Sequence, residues 1–258
     1  MNRQEILEKI EQSQMVLAGL GEDFDISRSL SREPGYIKGR KILEERGLHW
    51  LIPGWNEYFG EQSGDGRTAE AVNRLFSLLE GKNWYAVSVS CSRSIFREER
   101  VVMPCGSVLR KQCEKGCGDV PEEVTAGDRE KTEAFFRKLS AGDCDGSGPE
   151  LGTCPECGGK LIFNNIYAEN YNEKGYLEQW KKYTKWLQGT LNRRIVILEL
   201  GVGMRFPTVI RWPFEKVAFF NQKAWFYRIN EKLYQLTKEL DEKGCGIAQN
   251  AIDWLEQL

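Results

Sequence analysis

Two pairs of cysteines are the residues of this chain whose types and spacing point most clearly to chemistry. Cys113 and Cys117 stand four positions apart, and Cys154 and Cys157 stand three positions apart. Two close couples of thiolates supply the ligand set of a tetrahedral Zn²⁺ site. With all four coordination positions taken by sulfur the metal would have no open position, so its predicted role is structural. Reduced thiols without a metal are the alternative interpretation.

Glycine-bearing turns after two apolar runs are the second chemical signal. They contain Gly19 and Gly21 near the start of the chain, and Gly201 and Gly203 near its end. Glycine at the carboxyl end of a strand lets a dinucleotide approach the backbone, and two such turns line one crevice at a topological switch point. Phe24 stands where the usual dinucleotide fingerprint has its third glycine, so an ordinary strand-to-loop turn is the alternative for the first segment.

Acidic residues follow the first glycine turn directly. Asp23 is expected to accept a hydrogen bond from a ribose hydroxyl, and Glu22 and Asp25 are further candidates. The alternative is a solvated acidic loop without a ligand.

The composition limits the classes of function. The chain has 258 residues, of which 41% are hydrophobic and 29% charged, so one core with a small satellite module is expected. A formal net charge of −2 gives no basic footprint, so no nucleic-acid partner is predicted. The polar first ten residues exclude an ordinary secretory signal, and no apolar run approaches the roughly 20 residues that a membrane helix needs. We therefore predict a cytoplasmic protein with reduced thiols and no membrane partner.

His49 is the single histidine of the chain. A mechanism that needs an imidazole base near neutral pH must use it. Packing of His49 among Trp50 and Trp55 is the competing interpretation.

Apolar spacing predicts strands that alternate with helices. Helices are predicted over 3–13, 67–80, 176–188 and 248–258, and strands over 15–18, 84–91, 194–200 and 224–229. Residues 22–66 are expected to form an irregular aromatic region over a pocket, and 120–150 an exposed insertion. The alternation implies a mostly parallel sheet covered by helices on both faces.

The order of these motifs resembles the sirtuins, a family of NAD-dependent enzymes with a Rossmann-like large domain and a small zinc domain. The similarity is greatest to the macrodomain-linked bacterial branch (class M), a group of protein ADP-ribosyltransferases. The stretch 198–214, together with Asn221 and the segment 228–230, carries most of the resemblance. The three-residue gap between Cys113 and Cys117 fits the same branch.

The resemblance implies an α/β fold, in which a Rossmann-like parallel sheet carries helices on both faces and a small zinc-binding domain is inserted. Residues 1–104 and 165–258 would form the NAD-binding domain, with 22–66 as its cofactor loop region, and 105–164 would form the zinc-ribbon-like domain. The residues implied in NAD binding, besides Asp23, are Gly19, Gly21, Gly201, Gly203, Asn230 and Gly246, the last in an adenine-proximal loop.

The chain departs from the family at the positions that do chemistry. Ser90 and Ser92 stand where the family has the asparagine and aspartate of its nicotinamide pocket. Cys105 stands where deacetylases have the catalytic histidine and class M has glutamine, and Ile166 stands near the place of a class M arginine. A thiol with an ordinary pKa near 8.5 is a poor base, so classical deacylation is not predicted.

Two functions therefore remain open. The first is an NAD-dependent transferase of the ADP-ribosyltransferase kind that acts on an acceptor protein, with Cys105 as nucleophile or base beside Ser90 and Ser92. The second is a catalytically inactive sirtuin-like protein that binds NAD or ADP-ribose, or serves as a scaffold. A third possibility is that the crevice binds another nucleotide, because Glu22 departs from the family's glycine turn.

Overall fold

The computed structural model describes residues 3–64, 66–97, 99–118, 120–143 and 147–258. Its helices are α1 (Arg3–Gln12), α2 (Pro34–Glu45), α3 (Ile52–Ser63), α4 (Arg67–Leu78), α5 (Ala126–Ala141), α6 (Lys174–Gln188), α7 (Arg211–Phe220) and α8 (Ala251–Glu256). Its strands are β1 (Met15–Leu20), β2 (Asn83–Ser88), β3 (Val101–Val102), β4 (Gly106–Cys113), β5 (Glu122–Glu123), β6 (Leu161–Asn165), β7 (Ile195–Leu200), β8 (Ala224–Ile229) and β9 (Gly244–Ile247).

The larger sheet is parallel throughout and has the order β3-β2-β1-β7-β8-β9. The chain leaves β1 toward β2 on one side and returns beside β1 as β7 on the other. The carboxyl ends of β1 and β7 therefore form the topological switch point, which is where open α/β sheets bind their ligands. The predicted α/β architecture is confirmed, and the strand predicted over 224–229 is confirmed residue for residue.

Helices cover both faces of this sheet. One buried cluster joins the sheet to α1, α4 and α8, as at Ile6, Leu75 and Trp254. The other joins it to α6 and α7, as at Tyr183 and Phe214. Because both faces are buried, the strands consist of nearly continuous apolar runs, which is why they were readable from the sequence.

The prediction that residues 22–66 are irregular is wrong, because α2 and α3 lie there. Pro34 and Pro53 stand in the first turns of these helices, where a missing N–H costs nothing. Gly39 lets the two helices approach closely, since a Cβ there would lie 2.8 Å from Cε2 of Trp55. Helix spacing was obscured because both helices carry glycines and aromatic residues that face each other rather than the large sheet.

The prediction that 120–150 is an exposed insertion is also wrong over α5. A capping box between Thr125 and Asp128 begins this helix, and Phe136 buries its ring against Trp55 with centroids 5.6 Å apart. Asp128 also pairs with the buried Lys111 of β4 at 2.9 Å. The helix therefore belongs to the core of the smaller unit, which is built on the sheet of β4, β5 and β6.

The smaller sheet is antiparallel with the order β5-β4-β6, and it packs against α2, α3 and α5. Its buried cluster also contains two of the paired cysteines, Cys113 and Cys154. Aromatic residues of α2 and α3, such as Tyr36 and Trp55, thus share a core with the cysteine module. Within the described residues, no helix is both long enough and apolar enough to cross a bilayer.

Candidate functional site

A cavity lies at the switch point, between the carboxyl edge of the large sheet and helix α3. Its floor comes from the segments that follow β1, β2 and β7, and its roof from α3 and the segment after β6. The lining residues are Glu22, Asp25, Ile26, Pro53, Asn56, Glu57, Val89, Ser90, Cys91, Ser92, Ile166, Tyr167, Arg205 and Phe206.

Glu57 is a buried carboxylate in the roof of this cavity. One of its oxygens accepts from the backbone N–H of Arg93 at 2.6 Å, and the other accepts from Nε of Arg93 at 2.7 Å. Burial raises the pKa of Glu57, although Arg93 acts against the shift. The sequence analysis did not single out Glu57, and its only local signal is a charge within an aromatic helix.

Arg205 is the cation among the described lining residues. Its Nη2 atom donates to the hydroxyl of Tyr167 at 3.3 Å, and its guanidinium lies 5.5 Å from the centroid of that ring. Burial raises the pKa of Tyr167, so its hydroxyl stays protonated. The described lining therefore combines three carboxylates, those of Glu22, Asp25 and Glu57, with one guanidinium. Arg205 lies within the stretch 198–214, which could have singled it out.

Ser90 and Ser92 lie in the lining, as the sequence placed them. The Ser90 hydroxyl accepts from the N–H of Ser92 at 3.3 Å, and the Ser92 hydroxyl accepts from the N–H of Ser94 at 3.3 Å. The Ser90 hydroxyl is used here only as an acceptor, so its proton is available to a ligand. The Ser92 hydroxyl also contacts Oγ of Ser94 at 2.9 Å and the carboxylate of Glu57, so it is already engaged. Ile166 also lines the cavity and adds an apolar surface to it.

Cys105 lies beneath the cavity and does not line it. Its residue surface is 2% exposed, and burial raises the pKa of its thiol to about 12. A thiol of this kind is protonated near neutral pH, so the geometry does not favour Cys105 as nucleophile or base. Cys91 lines the cavity instead, and its Sγ donates to the carbonyl of Cys105 at 3.3 Å. Burial raises the pKa of Cys91 as well, so neither thiol is activated.

His49 is exposed at the start of a short 3₁₀ turn and is absent from the lining of the cavities described among these residues. The expectation that it packs among Trp50 and Trp55 is wrong, because both indole rings are buried while His49 is exposed, and Trp50 meets Phe163 at 5.6 Å between centroids. No imidazole therefore reaches the described lining.

The glycines of the two predicted turns pack against neighbouring segments of the chain. A Cβ on Gly19 would collide with Ile210 and lie 2.8 Å from Phe214, so this glycine accommodates helix α7. A Cβ on Gly21 would collide with the backbone of Gly201. The absence of side chains here brings β1 and the segment after β7 into contact, which closes the bottom of the crevice.

Gly201 and Gly203 lie over the acidic residues of the first turn. Gly201 has φ of +60°, a conformation that favours glycine, and a Cβ there would collide with Asp23. A Cβ on Gly203 would lie 3.0 Å from Oε1 of Glu22. The two predicted glycine turns and the predicted acidic residues thus form one cluster.

Asp23 and Asn230 are both held by backbone groups. Asp23 accepts from the N–H of Ala251 at 3.1 Å and pairs with Arg28 at 2.5 Å, and burial raises its pKa. Asn230 donates from Nδ2 to the carbonyl of Val202 at 3.1 Å. These contacts order the loops of the crevice.

A second cavity adjoins the first and shares Asp25 and Ile26 with it. Its walls are mostly polar and include Asp23, Glu231 and Asn250. Gly246 was expected in a loop beside the adenine, but it lies within strand β9, where a Cβ would collide with the backbone of Tyr234. The loop interpretation is therefore wrong.

The four paired cysteines converge at the edge of the smaller sheet. Their sulfur atoms all lie within 4.8 Å of one another, and Sγ of Cys113 is 3.5 Å from Sγ of Cys157. Backbone N–H groups of Lys115 and Gly159 donate to these sulfurs at 3.3 and 3.4 Å. Sulfurs at this separation fit a tetrahedral Zn²⁺ with bonds of about 2.3 Å. Cys113, Cys117, Cys154 and Cys157 thus have the geometry that a structural zinc requires.

The sheet order, the inserted cysteine-bearing unit and the crevice between them define the sirtuin fold. A complex of Sir2 with a p53 peptide and NAD⁺ aligns with all of this chain and 97% of its own, with a TM-score of 0.53 and 13% identity. An ADP-ribose complex of a Sir2 homologue variant covers 100% of this chain and 94% of its own, with a TM-score of 0.55 and 14% identity. The resemblance to the sirtuins is confirmed at the level of the fold.

Among curated proteins, the chain is similar to a protein ADP-ribosyltransferase of Staphylococcus aureus, with 20% identity over 93% of this chain and 82% of that protein. A segment of 67 residues is 36% identical to a probable bifunctional ADP-ribose hydrolase/ADP-ribosyltransferase of Fusarium oxysporum f. sp. cubense. That segment spans 25% of this chain and 11% of the fungal protein. No protein-family model matches the chain.

Proposed function

We propose that this sirtuin-like chain binds NAD across the two adjoining cavities and transfers the ADP-ribosyl group to an acceptor protein. The observation that carries the proposal is the lined crevice at the switch point of a sheet whose fold aligns along nearly whole sirtuin structures. The cavities share a wall, so an extended dinucleotide would lie in both. The similarity to the staphylococcal ADP-ribosyltransferase supports transfer as the reaction.

Transfer breaks the bond between nicotinamide and the ribose carbon, and forms a bond from that carbon to a nucleophile of the acceptor. Nicotinamide leaves, and the proton of the nucleophile passes to water or to a basic group. Positive charge develops on the ribose as the first bond breaks, and a nearby carboxylate in a dry site stabilises it. Glu57 supplies that carboxylate and Arg93 holds it in place.

The hydroxyls of Ser90 and Ser92 would orient the nicotinamide-side ribose or the carboxamide, that of Ser90 by donating a hydrogen bond. They are shorter than the amide and carboxylate of the related family, so orientation would be weaker. Cys105 receives no role in this proposal, because it is buried away from the lining and its thiol is protonated.

Binding without turnover is the second candidate. It is favoured by the two serines in the described lining and by the exposed position of His49. Such a chain would retain NAD or ADP-ribose in the crevice and serve as a sensor or scaffold.

The cysteine cluster would hold a structural zinc that braces the smaller unit. A zinc site needs reduced thiols, which suits the predicted cytoplasmic location. We also propose that the smaller domain extends beyond 105–164, because α2 and α3 share its core.

Calorimetric titration with NAD, with nicotinamide release and transfer of labelled ADP-ribose to protein followed in the same sample, tests the proposal. Binding, release and labelled protein support a transferase, and the Cys105→Ala variant should retain all three. Release without labelled protein indicates an NAD hydrolase. Binding without release supports the second candidate, and no binding at millimolar NAD refutes NAD binding and with it the transferase, leaving only a scaffold.

A further inference from the structure

Glu22 makes a paired contact with backbone amides at the switch point. Its Oε2 atom accepts from the N–H of Gly203 at 2.5 Å, and Oε1 accepts from the N–H of Arg205 at 3.2 Å. None of the ion pairs recorded among the described residues involves Glu22. The side chain of Arg205 turns to Tyr167 instead, so the carboxylate rests on backbone donors.

These two amides have the geometry of an anion-binding site. Backbone N–H groups that converge in a loop with glycines form a concavity that attracts carboxylate or phosphate oxygens. The missing side chain of Gly203 opens the approach, because a Cβ there would lie 3.0 Å from the Glu22 oxygen. Any larger residue would partly block the amide it flanks.

Buried donors behind the loop strengthen this site. The carbonyl of Val202 belongs to the same peptide unit as the N–H of Gly203. It accepts from Nη2 of Arg211 at 2.6 Å and from Nδ2 of Asn230 at 3.1 Å. Hydrogen bonds to a carbonyl polarise its peptide group, which makes the opposite N–H a better donor. Arg211 is 8% exposed, so its charge acts on this peptide in a poorly solvated setting.

The backbone of Glu22 is also fixed in register with the loop. The N–H of Gly21 donates to the carbonyl of Leu200 at 2.8 Å, and that of Asp23 donates to the carbonyl of Gly201 at 3.3 Å. The carboxylate is therefore presented to the amides by two backbone hydrogen bonds that flank it in sequence. Glu22 thus lines the cavity and covers the polarised N–H of Gly203.

We propose that the amides of Gly203 and Arg205 are the phosphate-binding site of this chain and that the Glu22 carboxylate competes for it. A dinucleotide diphosphate must displace Glu22 to bind, so Glu22 sets the affinity for phosphate-bearing ligands. The part of this inference that concerns NAD rests on the proposed function. The amide site itself is a property of the loop and applies equally to free pyrophosphate.

Variants of Glu22 test the competition by direct binding measurements. Glu22→Ala frees both amides and removes a negative charge, and Glu22→Gln removes the charge while keeping the shape. Calorimetry with ADP-ribose should show at least about tenfold tighter binding by Glu22→Ala than by the parent chain, with Glu22→Gln between them. Glu33→Gln, which neutralises an exposed acid near the start of α2, should change the affinity less than about threefold.

Pyrophosphate and adenosine separate the site from the rest of the ligand. Pyrophosphate should bind the Glu22→Ala variant more tightly than the parent, whereas adenosine, which has no phosphate, should not distinguish them. Tighter pyrophosphate binding without any ADP-ribose or NAD binding would retain the Glu22 inference and refute the proposed function. If a folded Glu22→Ala or Glu22→Gln variant binds pyrophosphate and ADP-ribose no more tightly than the parent, the inference is wrong.

Discussion

Gly19 offers a test of whether the first glycine turn serves the ligand or the packing of the chain. Its missing Cβ faces helix α7, where an added methyl would collide with Ile210 and lie 2.8 Å from Phe214. All three residues are in fully buried surroundings, with Ile210 and Phe214 both 0% exposed. We expect Gly19→Ala to overpack this contact and to leave the walls of the cavity untouched.

The size of the effect follows from two opposing contributions. Overpacking a tight core costs about 1–3 kcal/mol. Replacing glycine by alanine in a strand recovers roughly 0.5–1 kcal/mol of chain entropy. A net loss of about 1–2 kcal/mol should therefore lower the free energy of unfolding, and with it Tm by roughly 2–8 °C in a chain of this size.

Thermal unfolding by calorimetry, with urea titration as a second probe, measures this loss. Gly66→Ala is the matched control, because a Cβ at that position has no heavy atom within 4 Å. It should leave stability unchanged or slightly increased. ADP-ribose affinity, measured at a temperature where both variants are folded, should equal that of the parent chain.

A double-mutant cycle isolates the contact itself. Ile210→Ala alone leaves a void and costs about 2–5 kcal/mol. In the Gly19→Ala, Ile210→Ala double variant the new methyl occupies part of that void, so the two losses should fall short of additivity by about 1 kcal/mol or more. Additive losses within about 0.5 kcal/mol would refute the packing role, as would a Gly19→Ala chain of normal stability that no longer binds ADP-ribose.

Three further outcomes follow from the structure. Cys154→Ser should reduce bound zinc from one ion per chain to none, measured by elemental analysis, and retention of a full equivalent would exclude the four-cysteine site. Asp128→Asn should destabilise the chain by roughly 3 kcal/mol in urea titration, because it leaves the buried ammonium of Lys111 without its counter-charge; a loss below about 1 kcal/mol would contradict this. Burial raises the pKa of Glu57, so the stability it contributes is present below its ordinary value of 4.5 and is lost as pH rises through the folded value. Glu57→Gln should therefore lose less stability than the parent as pH rises above about 4.5 in thermal scans, and parallel stability curves would contradict the raised pKa.

Much of the large sheet was predictable because its strands are buried on both faces. The run at 224–229 is continuously apolar or aromatic apart from Arg228, and the observed strand has the same limits. Helices α2 and α3 were missed because their aromatic residues and glycines pack against the smaller unit, which no local pattern specifies.

The candidate site was predictable only in its backbone. The two glycine turns were predicted at the crevice from their positions at strand ends, and Ser90 and Ser92 from the resemblance to the sirtuins. Glu57 was missed because its partner Arg93 is 36 residues away, and only folding brings them together. Cys105 was assigned a chemical role from its position in the family pattern, whereas burial beneath the cavity deprives its thiol of solvent.

The sequence by itself determined the parallel sheet, the cysteine couples and the glycine turns, because strand burial, metal-ligand spacing and chain reversal are local properties. Only the tertiary structure decided what those features touch. The Glu22 carboxylate reaches an amide 181 residues further along the chain. Gly19 faces helix α7, and Cys105 is buried and does not line the cavity. Such contacts depend on how distant segments pack, and the same local pattern is compatible with several packings.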